Sequence, residues 1–376
     1  MTLDLKRMTY FLLNSHEMAW SKPKYSKREV NRAGEALLRE DCSVDQLNHT
    51  YSVINNWRTC HNFPLNTFQI RLRREAKKVD ESALVGQRIK RLSSIKSKLE
   101  RISGLNLAQI QDIGGCRAIV KNVTCLHEIT NVYTSRFSRG LKHQLHSVDD
   151  YVFEKPRFTG YRSVHLVYKY LSDKNKVYNS LKIEIQLRTL WQHAWATAVE
   201  TIDSFTNQNL KLGGGDQDWR RFFSLISSVI ALKEGTPIVP TTSNDIFALK
   251  DEIIALESKL DVINMLEGFS TAINLTQDFT TRYRKGYFII ELDPEEKLID
   301  IFSYPTGSKG LNRASEDYLR LERLNRLTNK NIVLVSSDSI DTLRLTYPNY
   351  YADTSRFVAL LRETIEKPNQ LSLFDS

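Results

Sequence analysis

The sequence predicts a mixed α/β protein: a sheet flanked by helices, preceded by N-terminal helices and followed by an α+β C-terminal region. Three observations carry this. Lys182 to Leu187 alternates polar and apolar residues, the period of a strand with one buried face, and a helical pattern follows from about Thr189. Short apolar runs that read as strands, Cys116–Val120 and Ser163–Leu171, alternate with segments of helical period. The chain of 376 residues is 41% hydrophobic and 26% charged, an ordinary globular composition with ample length for a core and a prior of two to three domains.

Taken in order, residues 1–64 read as helices and loops. Ser26 and Glu29 form a capping box for a helix from Lys27 to about Glu40; Asp41–Ser43 breaks it, and a second helix covers Val44–Arg58. The cations Lys22, Lys24, Lys27, Arg28 and Arg32 form either a nucleic-acid patch or a solvated face. Phe68–Leu72 fits a strand or a short helical segment. Arg88–Ile102 is rich in Lys and Arg, with Ser93 and Ser94 where a helix could start. A serine there, beside free backbone N–H groups, suits phosphate oxygens, while Ile95, Leu99 and Ile102 suit an inward face. Asp112 precedes Gly114-Gly115 and the strand Cys116–Val120; on its own such an Asp is a turn residue, and it gains meaning only opposite a second carboxylate.

A helix is expected over Cys125–Phe137. The loop from Asp149 to Arg162 carries Lys155, Arg157, Phe158, Tyr161 and Arg162, aromatics between cations that suit stacking on a base or a plain surface hairpin. Lys182–Leu187 puts Ile183, Ile185 and Leu187 on one face, Glu184 and Gln186 on the other, with Arg188 at the strand's end. In the helix that follows, Leu190, Ala194, Ala198 and Ile202 share a side. Gly213–Gly215 lacks the Gly-Lys-Ser/Thr of a phosphate loop and reads as a linker. Trp219–Lys233 is an apolar-faced helix, and Gly235–Ser243, with two prolines, is a boundary. Beyond it come a long helix from Asp245 to about Ile273, two strands within 286–304 turning at Asp293–Glu296, a helix over Gly310–Leu327, a strand at Asn331–Ser336, the aromatic Tyr347-Pro348-Asn349-Tyr350-Tyr351, and a last helix to about Ile365. The domains read as 1–64, 65–235 and 236–376.

The net charge of +9 favours a polyanionic partner such as nucleotide or RNA. Cys42, Cys60, Cys116 and Cys125 form no C-x-x-C pair, which argues against a zinc site or disulfide framework and for a reduced, cytoplasmic protein. The apolar run at Tyr10–Leu13 is too short for a signal peptide, and no stretch is long enough to span a bilayer, so no membrane is expected as a partner.

Five strings in order resemble the RelA/SpoT-type pyrophosphokinase (alarmone synthetase) family: Arg88-Ile89-Lys90; Ser94-Ile95 with Lys98; Asp112-Ile113-Gly114-Gly115-Cys116-Arg117; Pro156 with Gly160-Tyr161-Arg162-Ser163-Val164-His165; and Glu184-Ile185-Gln186-Leu187-Arg188-Thr189. They cover roughly residues 65–210. The resemblance implies a nucleotidyltransferase-like sheet and transfer of the β,γ-pyrophosphate of ATP to a ribose 3′-hydroxyl. It implies that Arg88 and Arg117 sandwich adenine and that Lys90, Ser94 and Lys98 hold the phosphates. Asp112 and Glu184 would hold Mg²⁺, with Glu184 near the attacking hydroxyl. Tyr161 would stack on the acceptor base, with His165, Gln186, Arg188, Arg157 and Arg162 around it. The His-Asp pair of the family's hydrolase domain is missing from the sequence. Arg157 and Thr159 replace the family's Lys and Asn in the acceptor loop, which bears on guanine selectivity.

The small synthetase with a C-terminal extension looks like the fused toxic small alarmone synthetases of the CapRel type. That likeness implies a tRNA 3′-CCA acceptor, a C-terminal pseudo-zinc-finger antitoxin, and an autoinhibitory Y-x-x-Y element, here Tyr347 and Tyr350, that occupies the ATP site. It also implies release by a phage structural protein, for example a major capsid protein. Charge reversal of Arg71, Arg73, Arg74, Lys77, Lys78 or the 22–32 cluster would then abolish tRNA modification while sparing ATP binding. Synthesis of (p)ppGpp or (p)ppApp, and an inactive RNA-binding or phage-sensing module, are the competing readings; intact Asp112, Glu184, Arg88 and Arg117 speak against the last.

Overall fold

Eight strands form one sheet in the order β3-β4-β5-β2-β1-β8-β6-β7. They are β1 (Leu84–Ile89), β2 (Gly114–Val120), β3 (Gln144–Asp150), β4 (Val164–Lys169), β5 (Lys182–Thr189), β6 (Gly286–Asp293), β7 (Leu298–Tyr304) and β8 (Asn331–Ser337). Only β2 and β5 pair in parallel; the other neighbours are antiparallel. This computed structural model describes residues 20–366 except 40, 42, 136–141, 207, 209, 211–212, 275–284, 326–327, 329, 338–339 and 352. The apolar run at 10–13, Cys42, and the ends expected for helices at 137 and 327 lie outside the described residues.

The mixed α/β architecture matches the sequence. Helices α1 (Lys27–Ala36), α2 (Val44–Thr59) and α3 (Asn62–Val79) cover one face of β1, β2, β4 and β5. The Ser26–Glu29 capping box forms as expected, and Ser43 with Gln46 makes a second. α4 (Leu92–Arg101) follows β1, and α5 (Val123–Thr134) follows β2. α6 (Leu190–Thr206) and α7 (Gln217–Glu234) pack with α8 (Ile246–Leu260), α9 (Val262–Asn274) and α12 (Ser355–Glu366) into a second core. Gly235 ends α7 in the left-handed conformation (φ 63°). α10 (Ser308–Leu324) covers one face of β6 and β8, through Leu311, Ala314 and Tyr318. α11 (Ile340–Thr346) and the 3₁₀ turn Pro348–Tyr351 cover the other, where Leu343, Tyr347, Tyr350 and Tyr351 meet Phe288 and Val335.

Four expectations are corrected. Phe68–Leu72 lies inside α3, whose amphipathic pattern runs through Pro64; the boundary drawn at 64/65 therefore cuts a helix, and the N-terminal helices share the core of the sheet. The single helix over 245–273 is two, because Asp261 adopts a left-handed conformation (φ 51°). The Glu257 carboxylate caps the second helix by accepting the N–H groups of Val262 and Ile263. Strands β1 and β3 and helix α11 were not anticipated; β3 is an edge strand with little apolar alternation. Finally, the region beyond 235 is no detached sheet. β8 pairs directly with β1 through Gln87↔Ser336 and Arg88↔Val335.

That junction is fastened on the α2 side by a buried ion pair. Arg58 Nη1 lies 2.7 Å from Glu322 of α10, whose other oxygen accepts Leu92 N–H at the start of α4 (2.9 Å). Arg58 also stacks over the Tyr318 ring at 5.0 Å. Removing one partner of such a pair strands a charge in a dry site. Glu322→Gln is expected to destabilise the fold by about 3 kcal/mol in denaturant unfolding, with Arg58→Met/Glu322→Leu recovering most of the loss; a single-variant loss under about 1 kcal/mol contradicts this.

Candidate active site

The strand register gathers the polar residues. Glu184 of β5 stands beside Gly115 of β2, Gln186 beside Arg117 and Arg188 beside Ile119; across β4, His165 faces Gln186. Residues opposite one another share a face, so Glu184, Gln186, Arg188, Arg117 and His165 point to one side. Gly86 faces Arg117, which brings Arg88, two residues on, to that side as well. Ile183, Ile185 and Leu187 fill the opposite side and are essentially inaccessible. The aliphatic residues thus fix the register that presents the polar ones.

Asp112, two residues before β2, lies between two lysines: Lys90 Nζ is 2.7 Å from one carboxylate oxygen and Lys98 Nζ 2.9 Å from the other. Burial opposes its charge, but the two ammonium groups outweigh burial and hold the carboxyl well below its usual range. Ser94 sits in the first turn of α4, half-buried. The helix begins at Leu92, slightly earlier than expected. A second chain of contacts runs from Glu184. One oxygen lies 3.0 Å from His165 Nδ1, and the other accepts Gln186 Nε2–H at 2.6 Å. His165 Nε2 is 2.7 Å from the Tyr161 hydroxyl, to which Arg188 donates at 2.6 Å. Against the opposing effect of burial, Tyr161 and Glu184 raise the imidazole to about 9. Likewise Arg188 and His165 pull the Tyr161 phenol down to about 7, against burial. Glu184 is held below its ordinary value by His165 and Gln186, although burial and Asp112 push the other way.

Asp112 and Glu184 therefore sense one another at one site. Among the described residues no third His, Cys, Asp or Glu completes a metal-binding group with them. Two carboxylates fit a Mg²⁺ that takes its remaining ligands from phosphate and water.

On the β1 side, Arg117 is buried, and burial together with Arg188 and Arg88 lowers it to about 10. Tyr347 lies against it, ring centroid 5.8 Å from the guanidinium carbon, and Arg117 donates to the Thr346 carbonyl at 3.4 Å. The Tyr347 hydroxyl donates to the Gln87 carbonyl at 2.9 Å. Gly86 makes this approach possible: a Cβ there would sit 2.6 Å from Thr346 Cγ2 and 2.8 Å from the Tyr347 oxygen. Tyr350 is buried beside Tyr347, and both interact electrostatically with Arg88, as does Glu200 of α6. Arg88 and Arg117 thus face the tyrosine segment where adenine was expected.

The acceptor-side residues divide. Tyr161 and His165 belong to the Glu184 chain. Arg157 is exposed and stacks on Tyr151, 4.1 Å from its ring centroid. Arg162 is a correction: it is 2% exposed and donates to Ser227 at 3.0 Å, Thr236 at 3.3 Å and the Pro237 carbonyl at 2.5 Å. It fastens the loop to α7 and faces no acceptor. Gly160 (φ 83°) is pressed against α7, where a Cβ would meet Ser227 at 2.9 Å. Of the α3 cations, Arg74 and Lys78 pair with Glu75 and Lys77 donates to the Glu81 carbonyl.

Four residues escaped the sequence reading. Tyr151 packs edge-on to Tyr161 and His165. His193 is buried, and burial with Arg117 and Arg188 keeps it neutral. Glu200 faces Arg88, and Glu234 caps the turn at Thr189 and Gln192. The positions of His193 and Glu200 on the helix after β5 are the only signal the sequence held for them.

Residues 87–207 match the family model described as "Region found in RelA / SpoT proteins". A curated relative, the GTP pyrophosphokinase YwaC of Bacillus subtilis (strain 168), is 29% identical over 121 residues, 31% of this chain and 55% of that protein. The match thus spans about half the length of that relative. Among solved structures, small alarmone synthetase 1 from Bacillus subtilis is 21% identical, covering 46% of this chain and 88% of that one, with a TM-score of 0.39. A GTP pyrophosphokinase family protein from Streptococcus pneumoniae is 23% identical, covering 46% and 85%, with a TM-score of 0.37. The family match and the curated relative support a RelA/SpoT-type assignment for the segment that carries Arg88, Asp112, Arg117, Tyr161 and Glu184. No helix among the described residues is long and apolar enough to cross a membrane.

The shifted pair His165 and Tyr161 has a pH signature. A raised imidazole stabilises the fold below its unfolded value, and that contribution is lost as pH rises through about 9. A depressed phenol contributes above its unfolded value and loses that contribution as pH falls through about 7. Between pH 7 and 9 the two proton counts cancel, so this pair leaves stability flat. His165→Gln removes the imidazole's opposing titration and leaves Arg188 to depress the phenol, so its stability is expected to rise with pH above about 7, toward the ordinary phenol value of 10, relative to wild type in denaturant unfolding. A variant as flat as wild type refutes the assignment.

Proposed function

We propose that this chain is an ATP-dependent pyrophosphokinase that transfers the β,γ-pyrophosphate of ATP to the 3′-hydroxyl of a tRNA 3′-CCA end and so blocks translation. The observation that carries the pyrophosphokinase reading is Asp112 clasped by Lys90 and Lys98 beside Glu184, on the face that also bears Arg88 and Arg117. Pyrophosphoryl transfer asks for charge neutralisation and in-line positioning more than for covalent help. A triphosphate entering this face offers Lys90 and Lys98 stronger partners than Asp112, with Ser94 at the helix start beside them. Asp112, released, and Glu184 would hold Mg²⁺, which when bound supplies neutralisation of the transferred group. Glu184, kept ionised by His165 and Gln186, orients the attacking hydroxyl and accepts its proton late. Arg188 holds Tyr161 and, through it, His165. Tyr161 and the exposed Arg157 receive the acceptor.

The segment 65–235 carries this chemistry and 236–376 regulates it. Tyr347 and Tyr350 stand against the arginines proposed to grip adenine, so nucleotide and tyrosines exclude one another. A tethered contact needs little intrinsic affinity, because the chain keeps it at roughly millimolar effective concentration. A phage structural protein that binds the C-terminal region better when 340–351 is displaced would open the site. A second reading is favoured by the name of the curated relative, a GTP pyrophosphokinase: the acceptor is then free GTP or GDP, or AMP for a (p)ppApp product.

The test is transfer of label from γ-labelled ATP with magnesium to deacylated tRNA, GDP, GTP and AMP, offered separately. Label is expected in tRNA, at least about 10³-fold less with Glu184→Ala, and about tenfold more with Tyr350→Ala or Tyr347→Phe. Label in free nucleotide alone gives the second reading. Unchanged transfer by both tyrosine variants rejects the inhibitory role, and no transfer by any variant rejects the pyrophosphokinase.

A further inference from the structure

At the foot of β4 and β5, next to the face just described, lies a pocket of about 340 Å³, within the range of small-ligand sites. Lys27 of α1, Lys169 at the end of β4 and Lys182 at the start of β5 line it, and none of its lining residues is a carboxylate. Lys169 and Lys182 stand directly opposite one another on antiparallel strands. Like charges so placed cost stability unless an anion lies between them. Among the described residues none of the three has a carboxylate partner; Lys182 Nζ lies 3.4 Å from the Gln109 carbonyl. Burial, with Lys169 and Lys27 nearby, lowers the Lys182 ammonium.

The other polar groups of the pocket are mixed: Asn31 offers a donor, and the Gln109 carbonyl is an acceptor. Trp57 lines it, is 5% exposed, and its indole N–H is buried without a partner. Asn31 accepts the Ala108 N–H at 3.0 Å through its carbonyl oxygen, which leaves its NH₂ for a ligand. His61 is tied through Nδ1 to the Trp57 carbonyl at 2.6 Å, and burial keeps it neutral. Three cations and an amide donor, with no carboxylate among the lining residues, describe a seat for an oxyanion rich in acceptor oxygens.

We propose that Lys27, Lys169 and Lys182, with the Asn31 amide, form a phosphate-binding subsite that seats a phosphoryl group of the acceptor. Lys182 shares its strand face with Glu184, two residues and about 7 Å along β5. An acceptor whose hydroxyl lies at Glu184 therefore reaches the pocket with a neighbouring phosphate. The identification of the occupant as the acceptor rests on the transfer reading; phosphate binding at the pocket does not. The phosphate belongs either to a free nucleotide or to a polynucleotide backbone.

The experiment uses the full chain and the variant Lys169→Gln/Lys182→Gln, with Lys169→Arg/Lys182→Arg as charge-preserving control. Calorimetric titrations with GTP, with guanosine and with deacylated tRNA are run separately, and thermal midpoints are recorded. The Gln variant is expected to lose at least tenfold in affinity for a phosphate-bearing probe, the Arg control to stay within about threefold, and guanosine to be unaffected. The midpoint of the Gln variant without ligand is expected to hold or rise, since the lysines repel one another. Loss confined to tRNA names a backbone phosphate; loss for GTP names a nucleotide. Affinities within twofold of wild type for both, no binding of either by wild type, or a lowered midpoint of the Gln variant would overturn the subsite. If wild type transfers label to no acceptor yet the Gln variant loses binding, the transfer reading fails and the pocket stands.

Discussion

The site depends on one backbone constraint: β5 is fixed between β2 and β4 in a register that buries Ile183, Ile185 and Leu187. A slip of one residue would exchange those aliphatics for Glu184, Gln186 and Arg188. Burying three aliphatic side chains contributes about 1.5–3 kcal/mol each, so the hydrophobic core sets the position of every polar group on the other face. Arg117, His165 and Arg88 take their places because their strands pair with β5 directly or through β2. The same sheet continues through β1 into β8, which brings the C-terminal region alongside the arginines.

So many charges on one face would repel or starve for solvation unless paired. Lys90 and Lys98 close on Asp112, while His165 and Arg188 close on Glu184 and Tyr161. Each group in these two chains has a partner that the proposed chemistry also uses, although Arg188 Nε is buried without one among the described residues. The resting site is thereby partly neutralised with a cationic surplus, and substrate binding becomes an exchange of partners, which costs less than desolvating unpaired charges. Tyr347 and the Thr346 carbonyl lie against Arg117, and Glu200 is the carboxylate that acts most strongly on Arg88.

Much of this was legible in the residues. Alternation in 182–187 revealed both the strand and its polar face, and Ser26 with Glu29 marked the first helix start, because these signals are local. Asp112 could be read only as a turn until β2, which it precedes, was known to pair with the strand of Glu184, since that pairing is made by a parallel crossover. Arg162 looked like a partner for an acceptor, as cations near Tyr161 do; its burial against Ser227 and Pro237 comes from the packing of α7, 65 residues away. The continuous sheet was hidden for the same reason: β1 and β8 are short, and nothing in either sequence names its neighbour. Asp261 broke a helix that periodicity carried through, because heptad-like spacing does not register a single left-handed residue.

The central claim is that the 340–351 segment and the nucleotide compete for Arg88 and Arg117. Hydrogen–deuterium exchange across residues 340–351, with and without a saturating non-hydrolysable ATP analogue and magnesium, tests it directly. Faster exchange in that segment on nucleotide binding, together with protection at β1 and α4, is the predicted result. Nucleotide binding that protects β1 and α4 and leaves the exchange of 340–351 unchanged would contradict it.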